Sequence, residues 1–346
     1  MSGSGTTLGR MDSSSYHDGS AYDRESVQFY DVAHEGAQIR AIAGVVPDLA
    51  ALRGLAPRSL VVVATDQVAR ASARFVVSFR SPLRLPIVVT GALPTYVGPL
   101  DVVMVVGDRA EDPEISQELI TADRRGAFTI LVGPSRGPIV DDAPARTIII
   151  PALPTVVGSS PARTITAVTT VLDLLEEDPS LVEQRLEETA IAIDAELEQL
   201  SPERDNLVNP GRQLREFADG ARLIHTGASP AEYGIAELVA ALWSNKGIPS
   251  GAAPAGEMTV EPPREASIFH DPFLDGPIDL IPLKTIIWAQ QPEVVSTQPH
   301  SLVVSTESPR AGILAGALTL ITRGFAATAF DLPEDREDPK DSVEDF

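Results

Sequence analysis

The sequence predicts an α/β protein of two doubly wound units with mainly parallel sheets, joined by a long acidic helix. Three observations carry this. Five short apolar runs alternate with helical periods over the first half of the 346 residues. A looser alternation of the same kind fills the second half. Between them, residues 180–200 are strongly acidic, yet place Leu181, Leu186, Ile191, Ile193 and Leu197 at helical spacing. The length allows each unit its own core.

Residues 1–25 are polar and Ser/Gly-rich without apolar period, and are expected to be disordered. The first unit is expected over 26–176. Its helical pattern begins near Ser26 and runs through Val32, Ile39, Ile42 and Val46, and Pro57 breaks it. Residues 60–64 form a β-branched run typical of a central strand. A helix over 67–78 then leads to strands at 87–89 and 101–106. A helix over 113–125 precedes strands at 128–132 and 147–150, and a helix over 160–175 closes the unit. The acidic connecting helix is expected over 177–206, punctuated by Pro202 and Pro210. The second unit is expected over 207–330. It has a strand at 222–227 entering a glycine turn, a helix at 231–245, strands at 281–288 and 302–305, and a last helix from Ser308 or Pro309 towards Arg323. Two units of similar build suggest an internal duplication. Residues 331–346 form an acidic tail.

The net charge of −22 is uneven. Residues 173–205 hold 12 acids against Arg185 and Arg204, and residues 331–346 hold 8 against Arg336 and Lys340. That balance argues against nucleic acid or an anionic membrane as partner. The acidic runs read as a solvated helix face and a frayed tail, or else as a surface for a basic protein partner. The absence of cysteine excludes disulfides and thiol chemistry. No apolar run reaches membrane-spanning length and no signal peptide pattern precedes the fold, so a cytoplasmic protein is expected.

The segment 101–114 is the most informative. Its apolar strand enters a turn that holds Asp108, Arg109, Glu111, Asp112 and Glu114. In open α/β sheets such a turn is where ligands bind, because the next helix offers unpaired N–H groups. These carboxylates suit the helix end and repel a phosphate.

Two stretches resemble the double-SIS (sugar isomerase) proteins, the bifunctional phosphoglucose/phosphomannose isomerase family. One is Leu93-Pro94-Thr95-Tyr96-Val97 followed by the strand; the other is Asn209-Pro210-Gly211-Arg212-Gln213-Leu214 running to Gly227. Ile268-Phe269-His270-Asp271-Pro272-Phe273 fits the texture of the actinobacterial TobH-like subgroup, labelled mannose-6-phosphate isomerase-related. The resemblance in layout spans about 35–330. It implies two SIS-like domains, a homodimer, a sugar or sugar-phosphate ligand and a place in mannose metabolism. The family's motifs are altered here. Its G-M-G-G-S-A turn is matched by Ala64-Thr65-Asp66-Gln67-Val68-Ala69, with no glycine and an added carboxylate. Its S-Y-S-G-N-T-E loop is matched by residues 106–112, where every hydroxyl is gone and Arg109 is one compensating cation. Its catalytic glutamate and histidine align with Ser244 and Val260, neither of which shuttles a proton.

The resemblance therefore implies a carbohydrate-derivative-binding type of protein that is catalytically degenerate, a pseudoenzyme with a binding, regulatory or scaffold role. The alternative is an active glucose-6-phosphate/mannose-6-phosphate aldose–ketose isomerase with a relocated site. It would use Glu232, Glu237 or Glu257 as base, His225 or His270 for ring opening, and Arg163 or Lys246 for phosphate, with all of them meeting in one cleft. A non-phosphorylated metabolite at the strand ends is a third reading. His225 reads either as a ligand-facing residue or as a half-buried cap of its turn, and His270 as a replacement histidine or a loop residue paired with Asp271. Ser160 before Pro161 reads as an N-cap, and with Arg163 as an anion site. Asn245 with Lys246 keeps polarity where the family has catalytic residues. No metal spacing and no nucleotide motif is present, so no cofactor is expected.

Overall fold

Alternation within buried strands divides the first sheet between two cores. In the computed structural model, which describes residues 23–109, 111–156, 158–257, 281–292, 294, 296, 298–307 and 311–332, β1 (Ser59–Ala64) and β3 (Asp101–Val106) are buried along their whole length. Leu60, Val62, Val102, Met104 and Val106 face the larger core, and Val61, Val63, Val103 and Val105 face the smaller one. With β2 (Ile87–Thr90), β4 (Phe128–Gly133) and β5 (Ile148–Pro151) they form a parallel sheet in the order β2-β1-β3-β4-β5.

Helices α1 (Arg24–Ala33) and α2 (Glu35–Leu49) precede β1, and α3 (Gln67–Phe79) follows it. On the smaller-core face lie α4 (Pro113–Arg124) and the single-turn α5 (Pro138–Asp141), with Ile115, Leu119 and Ile139 buried there. Helix α6 (Pro161–Leu174) is buried nearly all round, and α7 (Pro179–Gln199) is the acidic connection.

The second unit repeats the plan. Helix α8 (Pro210–Ala218) leads to β6 (Arg222–Gly227), α9 (Pro230–Asn245), β7 (Ser250–Ala252), β8 (Leu283–Ala289), β9 (Ser301–Ser305) and α10 (Ile313–Ala327). The second sheet is parallel in the order β7-β6-β8-β9, which matches β2-β1-β3-β4 position by position. Leu223, Ile286, Trp288 and Val304 belong to the same large core as the first sheet, so one apolar layer of helices serves both sheets.

Several sequence expectations shift. Helix α1 starts at Arg24, inside the stretch expected to be disordered, because Asp23 accepts the Ser26 N–H as N-cap and Glu25 is buried against Arg212 at 2.5 and 2.8 Å. The last helix begins at Ile313 after Gly312, whose φ of 96° closes the preceding turn. The acidic helix is not simply solvated. Seven acids of the run 173–205 pair with arginines of this same chain: Asp173, Glu176, Glu177, Asp178, Glu187, Asp194 and Glu196. Glu196 meets Arg323 of α10 at 2.8 and 3.2 Å, and Asp194 meets Arg40 of α2 at 2.5 Å. Residues 1–22, 333–346 and the subgroup-like stretch with His270 lie outside the described residues. No helix among those described is long and apolar enough to cross a membrane.

Candidate functional site

Strand order places the candidate crevices. In the first sheet the connections from β1 and β3 leave on opposite faces, which opens a crevice above their carboxyl ends; in the second, β6 lies between β7 and β8 as β1 lies between β2 and β3, which places the matching crevice above β6 and β8. Both crevices are closed by a carboxylate of the chain itself.

In the first, Asp66 is the N-cap of α3. Its Oδ1 accepts the Ala69 N–H at 2.8 Å, and its Oδ2 accepts the Asp108 N–H of the neighbouring turn at 3.1 Å. Gly107 lets the two turns approach. It has φ 127°, and a Cβ there would lie 2.2 Å from Thr65 Oγ1 and 2.5 Å from Asp66 Oδ2. In the second, Glu232 completes a capping box with Ser229: it accepts the Ser229 N–H at 2.9 Å, and its other oxygen accepts the Gln290 N–H beyond β8 at 2.9 Å. Gly227 allows this, since a Cβ there would meet the Glu232 backbone at 2.4 Å. In each unit, then, a carboxylate from the first turn of the helix takes the backbone donor of the adjacent strand's turn. Neither donor is then free for a bound anion.

Beneath the first crevice lies a charged cluster. Arg163, in the first turn of α6, is fully buried and pairs through Nη2 with Asp108, while its Nε and Nη1 have no acceptor among the described residues. Burial pushes the Asp108 carboxyl up, Arg163 pulls it back, and Asp66 and Asp31 add to the rise. Ser160 is the N-cap of α6, with Pro161 at the first helical position, and its hydroxyl donates to Glu35 at 2.5 Å. Glu35 comes from α2 and also accepts the Ala162 N–H at 2.8 Å. Complete burial raises its carboxyl to about 7, against the opposing pull of Ser160, Ala162 and Arg163.

The other candidates are dispersed. His225 is no turn cap. It lies fully buried in β6, accepts Trp288 Nε1–H at 3.1 Å, stands edge-on to Trp243, and is pushed down to about 3 by burial. Arg109 is exposed and sits 3.4 Å from Asp112. Asn245 and Lys246 are exposed at the far end of α9 from Glu232. The 16 residues of that helix put them roughly 20 Å away. Glu237 and Glu257 lie near Tyr233, whose hydroxyl is raised by burial first and then by both of them. Among the described residues no hydrogen bond or ion pair joins Arg163, His225, Lys246 and Glu257, and Lys246 lies far from Glu232 along α9. Glu35 and Asp31 escaped the sequence reading: the packing of α2 onto α6 brings in Glu35, and Asp31 of α1 reaches the turn at Gly158 before α6. Among the described residues no group of three or more His, Asp or Glu side chains could hold a metal ion.

No family model matches the chain, and no curated protein sequence does. Solved structures do. The C-terminal domain of glucosamine-fructose-6-phosphate aminotransferase from Francisella tularensis is 12% identical with a TM-score of 0.57, covering 90% of this chain and 96% of that one. A proposed phosphosugar isomerase from Silicibacter pomeroyi is 16% identical with a TM-score of 0.59, covering 89% and 96%. Tagatose-6-phosphate ketose/aldose isomerase from Escherichia coli is 12% identical with a TM-score of 0.55, covering 87% and 92%. The likeness runs through both units, and at these identities it shows the fold: two α/β units with parallel sheets in one chain.

Proposed function

We propose that this chain is a carbohydrate-derivative-binding type of SIS protein that has lost isomerase catalysis and acts in binding, regulation or scaffolding. By motif it is placed with the TobH-like subgroup, and its working form is a homodimer. One observation carries the reading: Asp66 and Glu232 occupy, from within, the backbone donors at both switch points. A phosphate dianion entering the first crevice would face Asp66 and Asp31 as well as the Arg163-bound Asp108. At a separation of about 5 Å and an effective dielectric near 20, each pair of unit charges costs about 3 kcal/mol. A hydroxyl-rich ligand without phosphate meets no such penalty, because carboxylates accept hydrogen bonds from hydroxyls. The ligand class favoured is therefore a neutral sugar or sugar derivative.

The test is calorimetric titration of the full chain with glucose, mannose and their 6-phosphates, beside an isomerase assay that follows fructose-6-phosphate. The expected result is no turnover and no saturable binding of either phosphate at millimolar concentration. Conversion at ordinary enzyme rates would overturn the reading.

A further inference from the structure

The mechanical consequence of the cluster beneath the first crevice lies in a mismatch between donors and acceptors. Arg163 carries five N–H donors on a planar guanidinium and can hold two carboxylates at once. It holds one, Asp108, and leaves Nε and Nη1 buried and unpaired among the described residues. The second carboxyl is near at hand: Glu35 spans the N-terminus of α6 through Ser160 and Ala162, one residue from Arg163. We propose that a proton on Glu35 decides whether Arg163 holds Asp108 alone or is shared between two carboxylates, and so sets how firmly the turn at 107–109 is held.

The charged groups around Glu35 are these. Arg163 on α6 and Asp108 after β3 both act on it. Asp66 after β1 and Asp31 on α1 act on Asp108. From α7, Asp194 approaches the backbone at Gly36 but is held by Arg40. With Glu35 neutral, Arg163 answers one charge and the 107–109 turn is anchored. With Glu35 ionised, two carboxylates draw on one guanidinium, and the vacant donors turn towards Glu35. Asp108 is then left with Asp66 and Asp31 as like-charged neighbours. The raised carboxyl of Glu35 puts this exchange near neutral pH.

The device regulates the same crevice as the proposed function and rests on that reading of its turns. Its test is separate, because it needs no ligand. The reporter is the Asp108 amide, bonded to Asp66 Oδ2. Its hydrogen exchange, divided by the intrinsic chemical rate, is measured on the full chain from pH 5.5 to 8.5. Protection is expected to fall about tenfold through neutrality in the natural protein and to stay level in Glu35→Gln. Ser160→Ala removes a bond that holds the Glu35 carboxyl down, so the midpoint should move to higher pH. Level protection in the natural chain overturns the proposal, as does the same fall in Glu35→Gln or an unmoved midpoint in Ser160→Ala. If the opening free energy at Asp108 equals that at Val103 in the middle of β3 at every pH, the effect is global unfolding and the proposal is overturned too. Should Glu35→Gln fail to fold, the natural chain and Ser160→Ala decide the matter. Tight phosphate binding by the natural chain would sink the functional reading and leave this result standing.

Discussion

The Glu232 carboxylate accepts the Gln290 N–H at 2.9 Å across the top of the second sheet, as Asp66 accepts the Asp108 N–H at 3.1 Å across the first. The two carboxylates reach from different places, Asp66 from the N-cap and Glu232 from the third helical position. Both end at the donor of the neighbouring turn. The repetition ties the closure to the duplicated plan β1–α3–β2–β3 and β6–α9–β7–β8 rather than to one local turn.

Truncating Glu232 tests its structural share. Glu232→Ala removes two charge-assisted bonds from backbone N–H groups in a nearly buried position. The expected loss is about 2–4 kcal/mol in urea unfolding. Glu232→Gln retains one carbonyl acceptor for two donors and should fall between. An effect within experimental error of zero for Glu232→Ala would show that the Gln290 turn is held by other means.

Neutralising the carboxylates of the first crevice should restore anion binding. Asp66→Asn keeps an oxygen for the Ala69 N–H while removing a charge, and Asp108→Asn frees Arg163 from the carboxylate it holds. Together they remove two negative charges from beside a buried guanidinium. Affinity for inorganic phosphate in a thermal-shift titration should rise at least about tenfold over the natural chain. Unchanged affinity would show that the carboxylates are not what excludes the anion.

Two buried groups set opposite pH slopes. Glu35 has a raised carboxyl, so its contribution to stability is fully present below the unfolded value of 4.5 and is lost as pH rises through about 7. His225 has a depressed imidazole, so its contribution is present above the unfolded value of 6.5 and is lost as pH falls through about 3. Between 4.5 and 6.5 the two slopes oppose each other and stability should be nearly flat. Above that window Glu35 alone lowers it, towards a total of about 3 kcal/mol relative to its protonated limit. Chemical denaturation at pH 5.5 and 8.5 should show the decline in the natural chain and a smaller one in Glu35→Gln.

The strands were readable because β1 and β3 are unbroken runs of Leu, Val and Met that only a sheet covered on both faces can bury. The helix starts at Pro113 and Pro161 were readable, the second from Ser160-Pro161, while the helix expected from 231 begins one residue earlier at Pro230, capped by Ser229. Strand β7 was missed because Ser250, Gly251 and Ala252 have no β-branched side chain, and it pairs only because β6 lies beside it. At the site, the repelling carboxylates of the 66 and 108 turns were legible, whereas Glu232 was read only as a candidate base and its capping of Ser229 was missed. The reach of Glu232 to Gln290 and of Ser160 to Glu35 crosses 58 and 125 residues, a distance that local sequence does not encode. His225 misled for the same reason: Trp243 and Trp288 enclose it from elsewhere in the chain.

The Glu25–Arg212 pair offers a last test, of what the N-terminal helix contributes. Glu25 on α1 meets Arg212 on α8 at 2.5 and 2.8 Å, with both side chains buried, and the Arg212 guanidinium stacks 4.6 Å from the Phe330 ring. Arg212 also donates to the Pro202 and Arg204 carbonyls, so it holds the end of the acidic connection as well. Neutralising one partner leaves the other charge buried, which costs about 3–5 kcal/mol. Glu25→Gln should therefore destabilise the chain strongly in urea unfolding. Arg212→Met on its own should be comparably harmful. The double variant should recover part of the loss, because no buried charge is left unpaired. Simple additivity of the two single losses would mean that Glu25 and Arg212 act independently, and that α1 is fastened by its apolar contacts at Phe29 and Val32 instead.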